Sequence, residues 1–262
     1  MTVLWYSTRA MTRRFAGRIV LFSDAHLGMG APEEEAAKVR RLLAFLDSAA
    51  SRCDELYVLG DLFDFWFEYK HAIPKRYFAV LARLHELARS GLPIIYLGGN
   101  HYFWIGDFLE REVGIEVHQE PIERRLQGRR AFLAHGDGLA RGDRGYKILK
   151  RVLRHPLPIA LFRLIHPDLG MALARRTSHT SHRYTQAREN LVEGMLEEVA
   201  EEKFRAGYDL VIFAHLHRPI HVANPGRDFV ILGDWVTHFT YAVIEDGRIQ
   251  LKRWEDADAP AQ

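Results

Sequence analysis

Five short stretches, far apart in the chain, carry side chains that bind metal ions. They are Ser23-Asp24-Ala25-His26, Gly60-Asp61-Leu62-Phe63-Asp64, Gly98-Gly99-Asn100-His101, Ala134-His135-Gly136-Asp137 and Ala214-His215-Leu216-His217. In chain order the candidate ligands are Asp24, His26, Asp61, Asn100, His135, His215 and His217. A mixed set of carboxylate, amide and imidazole donors suits Mn²⁺, Fe²⁺ or Zn²⁺ better than Ca²⁺ or Mg²⁺. Asp24 with His26, and His215 with His217, are spaced so that on extended backbone both members point the same way. A lone histidine is ordinarily structural or solvated, and His71, His85, His118, His155, His166, His221 and His238 keep that reading. The ordered set, each member at the end of an apolar run, points instead to a two-metal hydrolase. Such sites hold their ions about 3.5–4 Å apart through a shared ligand, and binding lowers the pKa of water from 15.7 towards ~7.

The elements that position these residues are legible around them. Apolar runs Ile19–Phe22, Leu56–Leu59, Ile94–Leu97 and Leu210–Phe213 precede four of the stretches, and Ala131–Ala134 precedes the fifth. Loops at the carboxyl ends of strands are where α/β folds place their sites. Ile19–Ser23, Leu56–Leu59 and Ile94–Leu97 read as strands, separated by helices over Glu33–Ala50 and Pro74–Ser90. The second helix is closed by Gly91, and the alternation predicts a largely parallel sheet. Ile115–His118, Arg130–Leu133 and Asp209–Phe213 read as further strands, and a long helix runs from after Tyr184 through Phe204. Phe229–Leu232, Tyr241–Glu245 and Ile249–Trp254, with an Asp246-Gly247 hairpin turn, predict a second, more antiparallel sheet.

At 262 residues, 48% hydrophobic and 27% charged, the chain has the composition of one large globular domain. Its single cysteine, Cys53, excludes an internal disulfide framework and suits a reducing compartment. No run approaches the ~18 apolar residues of a membrane span, and Met1–Gly17 lacks the apolar core of a signal peptide. The formal charge of +2 is unevenly placed: Arg141–Arg188 carries eleven Lys or Arg against two Asp. The same stretch is rich in Leu and Ile, and Pro156, Pro158, Pro167 and Gly170 break it into short helices. One reading is a helical subdomain with a solvated charged face. The other is a cap for an anionic, apolar-tailed substrate, or for an anionic membrane surface.

The blocks Asp24-Ala25-His26, Gly60-Asp61-Leu62-Phe63-Asp64, Gly99-Asn100-His101, His135-Gly136-Asp137 and His215-Leu216-His217 resemble the calcineurin-like metallophosphoesterases over about Ile19–Trp254. The resemblance implies an α/β fold, a two-sheet αββα sandwich over 18–140 and 184–256, with a helical cap insertion at 141–183. It implies two divalent metal ions, assigned as Mn²⁺. Asp24, His26 and His217 would serve one ion, Asn100, His135 and His215 the other, with Asp61 bridging. His101 would stabilise charge at the phosphorus and Asp64 would orient it; a helix or turn cap is the ordinary reading of Asp64. The family usually carries an acidic residue after Asn-His, where this chain has Tyr102.

Gly60–Tyr69, His135-Gly136-Asp137-Gly138, Gly142-Asp143-Arg144-Gly145-Tyr146 and Leu232-Gly233-Asp234-Trp235 are similar to blocks of one branch, the UDP-2,3-diacylglucosamine pyrophosphohydrolases of lipid A synthesis. That similarity implies a lipid-linked sugar nucleotide as substrate, released as UMP and 2,3-diacylglucosamine 1-phosphate. It implies a cytoplasmic protein in peripheral contact with the inner membrane, and no nucleic-acid partner. Asn100, His101, Asp143, Tyr146, Arg175, Arg176, Ser178 and His215 are the expected substrate contacts. Trp66, Phe67 and Tyr69 either line a uridine or acyl pocket or pack in the core. The competing activities are another phosphodiesterase, a nuclease or a phosphatase on the same centre, a non-catalytic scaffold and a membrane-binding module. The insertion discriminates against a nuclease, because its aromatics are only Tyr146, Phe162 and Tyr184 and its apolar content fits acyl chains.

Overall fold

The computed structural model describes residues 17–100, 104–139, 144–173 and 189–255. Its first sheet has the order β11-β10-β1-β2-β3-β4 and its second the order β5-β6-β7-β9-β8. In the first, β1 (Ile19–Phe22), β2 (Glu55–Val58), β3 (Ile94–Leu97) and β4 (Glu116–His118) run parallel. In the second, β6 (Arg129–Leu133), β7 (Leu210–Phe213) and β9 (Arg227–Ile231) are parallel. They are flanked by antiparallel β5 (Ile122–Leu126) and β8 (Ile220–Asn224).

The strand sequences explain the layering. Successive side chains of a strand face opposite sides, and these strands are apolar on both. Ile19, Leu21, Tyr57, Ile95, Ile212 and Val230 meet between the two sheets. Val20, Phe22, Leu56, Val58, Ile94 and Tyr96 face α1 (Pro32–Ala50) and α2 (Phe78–Arg89). Phe132, Val211, Phe213 and Phe229 face Leu196 and Ala200 of a late helix, Glu189–Arg205. The result is the expected αββα sandwich.

Three details depart from the sequence reading. The hairpin of β10 (Thr240–Glu245) and β11 (Arg248–Arg253) does not extend the second sheet. It pairs antiparallel with β1 and completes the first. The all-buried β1 must be central, so it requires a neighbour on each side. Asp246 and Gly247 do form the turn, with φ of 52° and 71°. The helix expected from Pro74 begins as a 3₁₀ turn over Lys75–Tyr77, because Tyr77 is drawn inward onto Phe63, 4.4 Å between ring centroids. Strands β5 and β8 went unread because their charged or exposed residues lack an apolar run.

Between the sheets' ends lie α3 (Arg144–Leu153), α4 (Pro156–Phe162) and α5 (167–173). Pro156 and Pro158 sit in the first turn of α4, where a missing N–H leaves no bond unmade. Gly170 does not break α5. It permits close packing, since a Cβ there would lie 2.6 Å from Tyr69 Oη and 3.1 Å from the Phe162 ring.

Phe45 joins the helical layer to the first sheet, with ring centroids 4.4 Å from Trp235, 5.1 Å from Tyr241, 5.4 Å from Phe22 and 5.5 Å from Trp254. Phe45→Ala leaves a cavity in this cluster, with an expected loss of ~3–5 kcal/mol. Chemical denaturation checks this, and a loss under 1 kcal/mol would show that the layer is not packed as described.

Candidate metal centre

All five stretches lie where parallel strands end: Asp24 and His26 after β1, Asp61 and Asp64 after β2, Asn100 after β3, His135 after β6, His215 and His217 after β7. Five of these residues take left-handed backbone: Asp24 (φ 52°), His26 (40°), Asp61 (47°), His215 (73°) and His217 (57°). Such conformations cost of order 1–3 kcal/mol each and persist only where surroundings impose them. Here the β1 and β2 loops continue to hydrogen-bond beyond their strands. Asp24 N donates to Gly60 O (3.1 Å), His26 N to Asp61 O (2.9 Å) and Leu27 N to Leu62 O (3.0 Å). The second sheet locks onto the first, with Trp235 N donating to Asp24 O (3.0 Å) and His215 N to Asp24 Oδ2 (3.2 Å). Gly60 and Gly99 are required by the closeness of these loops. A Cβ at Gly60 would strike the His135 ring, and one at Gly99 the Asp61 carboxylate.

The donors gather into two groups, Asp24–His26–His217 and Asp61–His135–His215, each with its ligand atoms within 4.8 Å of one another. In the first, Asp24 Oδ1 lies 3.4 Å from His217 Nε2 and 3.6 Å from His26 Nε2, and the two imidazole nitrogens are 3.0 Å apart. In the second, His135 Nε2 lies 3.2 Å from Asp61 Oδ2 and 3.0 Å from Asn100 Oδ1. His135 Nδ1 faces Leu59 O at 2.8 Å, which turns Nε2 towards the cluster. Asp24, His26, Asp61 and His135 are buried. Buried carboxylates need a compensating cation, and converging oxygen and imidazole donors fit a divalent one.

Protonation reflects this need. Burial alone would raise the Asp24 pKa, yet His217 and His26 beside it hold the carboxyl well below its usual range. Burial would lower His135, but the Asp61 charge outweighs it and raises the imidazole to about 10. His215, pushed down by burial and then by the charge on His135, falls to about 4. His217 is raised, since contact with Asp24 overcomes its burial.

Asp64 is also buried, its Oδ1 4.0 Å from His26 Nδ1. Its expected partner His101 lies outside the described residues, as do Tyr102, Asp143, Arg175, Arg176 and Ser178. Tyr146 falls within α3, with its side chain outside the description. Trp66 and Phe67 are core residues with no exposed surface, while Tyr69 is half-buried.

Sequence reasoning missed the supports of this centre. Lys38 of α1 donates to His26 O (2.9 Å) and pairs with Glu35 (2.8 Å). Glu35 accepts from Gly28 N (2.6 Å) and Gly30 N (2.9 Å). The i, i+3 charge pair was visible but reads as a solvated helix face. Buried Asp234 gathers the N–H groups of Val236, Thr237 and His238 in the loop that presents Trp235. Asp137 pairs with Lys150 of α3 at 2.7 Å.

The family model described as calcineurin-like phosphoesterase matches residues 17–219. The chain is similar to a UDP-2,3-diacylglucosamine hydrolase of Porphyromonas gingivalis, 32% identical over 259 residues, covering 92% of this chain and 99% of that protein. It is 34% identical over 227 residues to the hydrolase of that name from Pseudomonas savastanoi pv. phaseolicola, covering 83% and 88%. The Pseudomonas fluorescens protein of that name is 32% identical over 222 residues, covering 83% and 87%.

Metal ligation requires an unprotonated imidazole nitrogen. In the metal-free protein His135 holds its extra proton until the pH nears 10, whereas His215 is already neutral at pH 7. Metal loading at neutral pH therefore displaces the His135 proton, with His217, also raised, adding to the release, and affinity should rise at least about tenfold per pH unit between roughly 7 and 9. Calorimetric titration with Mn²⁺ in buffers of different ionisation enthalpy measures this. An affinity independent of pH would remove His135 from the ligand set.

Proposed function

This chain belongs to the calcineurin-like phosphoesterase family, and we propose that it hydrolyses the diphosphate of UDP-2,3-diacylglucosamine to UMP and 2,3-diacylglucosamine 1-phosphate. The observation that carries the reading is a metal-ligating cluster bordered by a cap whose apolar side chains are turned outward. Ile148, Leu157 and Leu164 are 62%, 60% and 83% exposed, with Leu149, Val152, Leu161 and Leu169 also open. A cap of this kind offers acyl chains a surface that a small hydrophilic ester would not need. The names borne by the similar bacterial hydrolases support the same substrate.

In this reading Asp24, His26 and His217 hold one cation, and Asn100, His135 and His215 the other, with Asp61 shared. Mn²⁺ suits the donors. Bound there, the pair would supply activated water and neutralise phosphoryl charge. Asn100 and His215 would also contact the substrate. His101 steadies negative charge at the phosphorus, oriented by Asp64. The leaving group is a sugar phosphate with a second pKa of ~6, so it departs as an anion with little proton donation. Asp143, Tyr146, Arg175, Arg176 and Ser178 contact the sugar and phosphates; arginine suits the latter because its fork donates two hydrogen bonds. The exposed leucines with Arg163 would also rest on an anionic bilayer while the lipid is drawn in. No helix among the described residues is long and apolar enough to cross a membrane. A nuclease is not favoured. Phe162, the cap aromatic whose ring is described, is packed against Phe67 and Trp104, 4.6 Å to each centroid, and is not offered for base stacking.

Incubation with UDP-2,3-diacylglucosamine and Mn²⁺ is expected to release UMP, and a chelator to stop it. Cleavage of bis-p-nitrophenyl phosphate without UMP release would retain the metal centre and discard the lipid substrate. Asp61→Ala should lower kcat by at least ~10²-fold; full activity would refute the shared-ligand role. Replacing Arg175 and Arg176 by Ala should raise KM for the lipid substrate, and unchanged kinetics would return them to a solvated face.

A further inference from the structure

Helix α3 separates two surfaces of opposite chemistry. Ile148, Leu149 and Val152 are open to solvent on one side. On the other, Lys150, Arg151 and Arg154 line a cavity of about 600 Å³ between α3 and the turns that follow β3, β4 and β6. His135 and Asp137 form part of its wall, so a molecule seated there reaches the metal-ligating cluster.

The cavity's acids are already engaged. Asp137 pairs with Lys150 at 2.7 Å, and Glu120 with Arg154 at 2.6 Å. One buried donor, Arg154 Nε, is left without a partner among the described residues, and Arg151 is exposed and free to receive a ligand. Arg151 has no ion-pair or hydrogen-bond partner among the described residues. Arg154 uses Nη1 on Glu120 and Nη2 on Gln119 O (3.2 Å), while its Nε is buried with no partner among the described residues. A buried donor left unmade costs ~1–3 kcal/mol, which an acceptor on a ligand would recover.

We infer that this cavity seats the nucleoside monophosphate half of the substrate, with Arg151 and Arg154 as its recognition residues. The inference rests on the diphosphate reading above. A substrate whose two halves join at a diphosphate must straddle the cluster, with chemically different halves on different sides. The apolar side of α3 suits acyl chains, and the polar, cationic side suits a nucleotide. The volume lies within the ~300–1,000 Å³ of small-molecule sites and is far more than inorganic phosphate needs. A guanidinium both forks to phosphate oxygens and stacks on a planar base.

The test is calorimetric binding of UMP to the Mn²⁺-loaded protein, with Arg151→Ala and Arg154→Gln. Both variants should weaken UMP about tenfold and raise its inhibition constant in turnover by the same factor. Inhibition by 2,3-diacylglucosamine 1-phosphate and by inorganic phosphate should stay as in the parent. Arg151→Ala leaves both ion pairs of α3 in place, so its effect is not a loosened cap. UMP affinity unchanged in both variants, or falling together with that of the lipid product, overturns the assignment. If the parent releases no UMP from the lipid substrate yet binds UMP through Arg151, the cavity stands and the substrate reading falls. If it releases UMP and the variants bind UMP normally, the reverse holds.

Discussion

Two carboxylates, Asp24 and Asp61, sit at the junction of two sheets with essentially no exposed surface. Charge in such a place is tolerated only when surrounded by partners, and much of the nearby architecture can be read as meeting that condition. Parallel strands in each sheet bring five loops to one end. Left-handed backbone at Asp24, His26, Asp61, His215 and His217 reverses the chain directly after the strands, so the side chains turn towards a common point. Cross-sheet hydrogen bonds to the backbone and side chain of Asp24 then prevent either sheet from withdrawing. The raised pKa of His135 belongs to the same constraint: in the absence of a cation, a proton is the compensating charge.

Helices α3 and α4 obey a different logic. Ordinarily an amphipathic helix buries its apolar stripe. Here α3 binds the core through Lys150, the carbonyl of Leu153, which accepts from Trp104 Nε1 at 2.6 Å, and Arg154. Its apolar residues are left to solvent. Aromatic packing of Phe162 with Phe65, Phe67 and Trp104 ties α4 to the loops after β2 and β3. Among the described residues α3 and α4 are thus fastened by these polar and aromatic contacts, while Leu149, Leu157 and Leu161 stay exposed.

What could be read from the chain alone follows from what each signal depends on. The apolar runs at Ile19, Leu56, Ile94 and Leu210 are strands buried on both faces, and such strands announce themselves without alternation. The candidate metal donors were legible because acid, amide and imidazole side chains follow one buried apolar run after another in the sequence. Charged β5 and largely exposed β8 carry no such signature; β5 is held by its ladder with β6 and by Ile122 and Leu126 buried between the sheets, β8 by its ladder with β9 and by Ile220. The placement of β10 and β11 could not be read locally either, because a hairpin pattern does not say which sheet will receive it. Lys38, Glu35 and Asp234 act through backbone atoms of the loops, and nothing in a side-chain pattern reveals which carbonyl or amide will be near. The basic, apolar composition of the insertion was evident; the division of its two characters between opposite sides of α3 needed the fold.

The register Ile19↔Ile244 makes strands at opposite ends of the chain immediate neighbours. Because β10 flanks β1 on the side away from β2, the segment bearing Asp24 and His26 lacks one edge until nearly the whole polypeptide is available. Loop-closure entropy of that span must be met before those contacts return anything. The β1 edge of the centre is therefore completed only when residues 240–245 pair with it, and until then a strand apolar on both faces keeps that edge open.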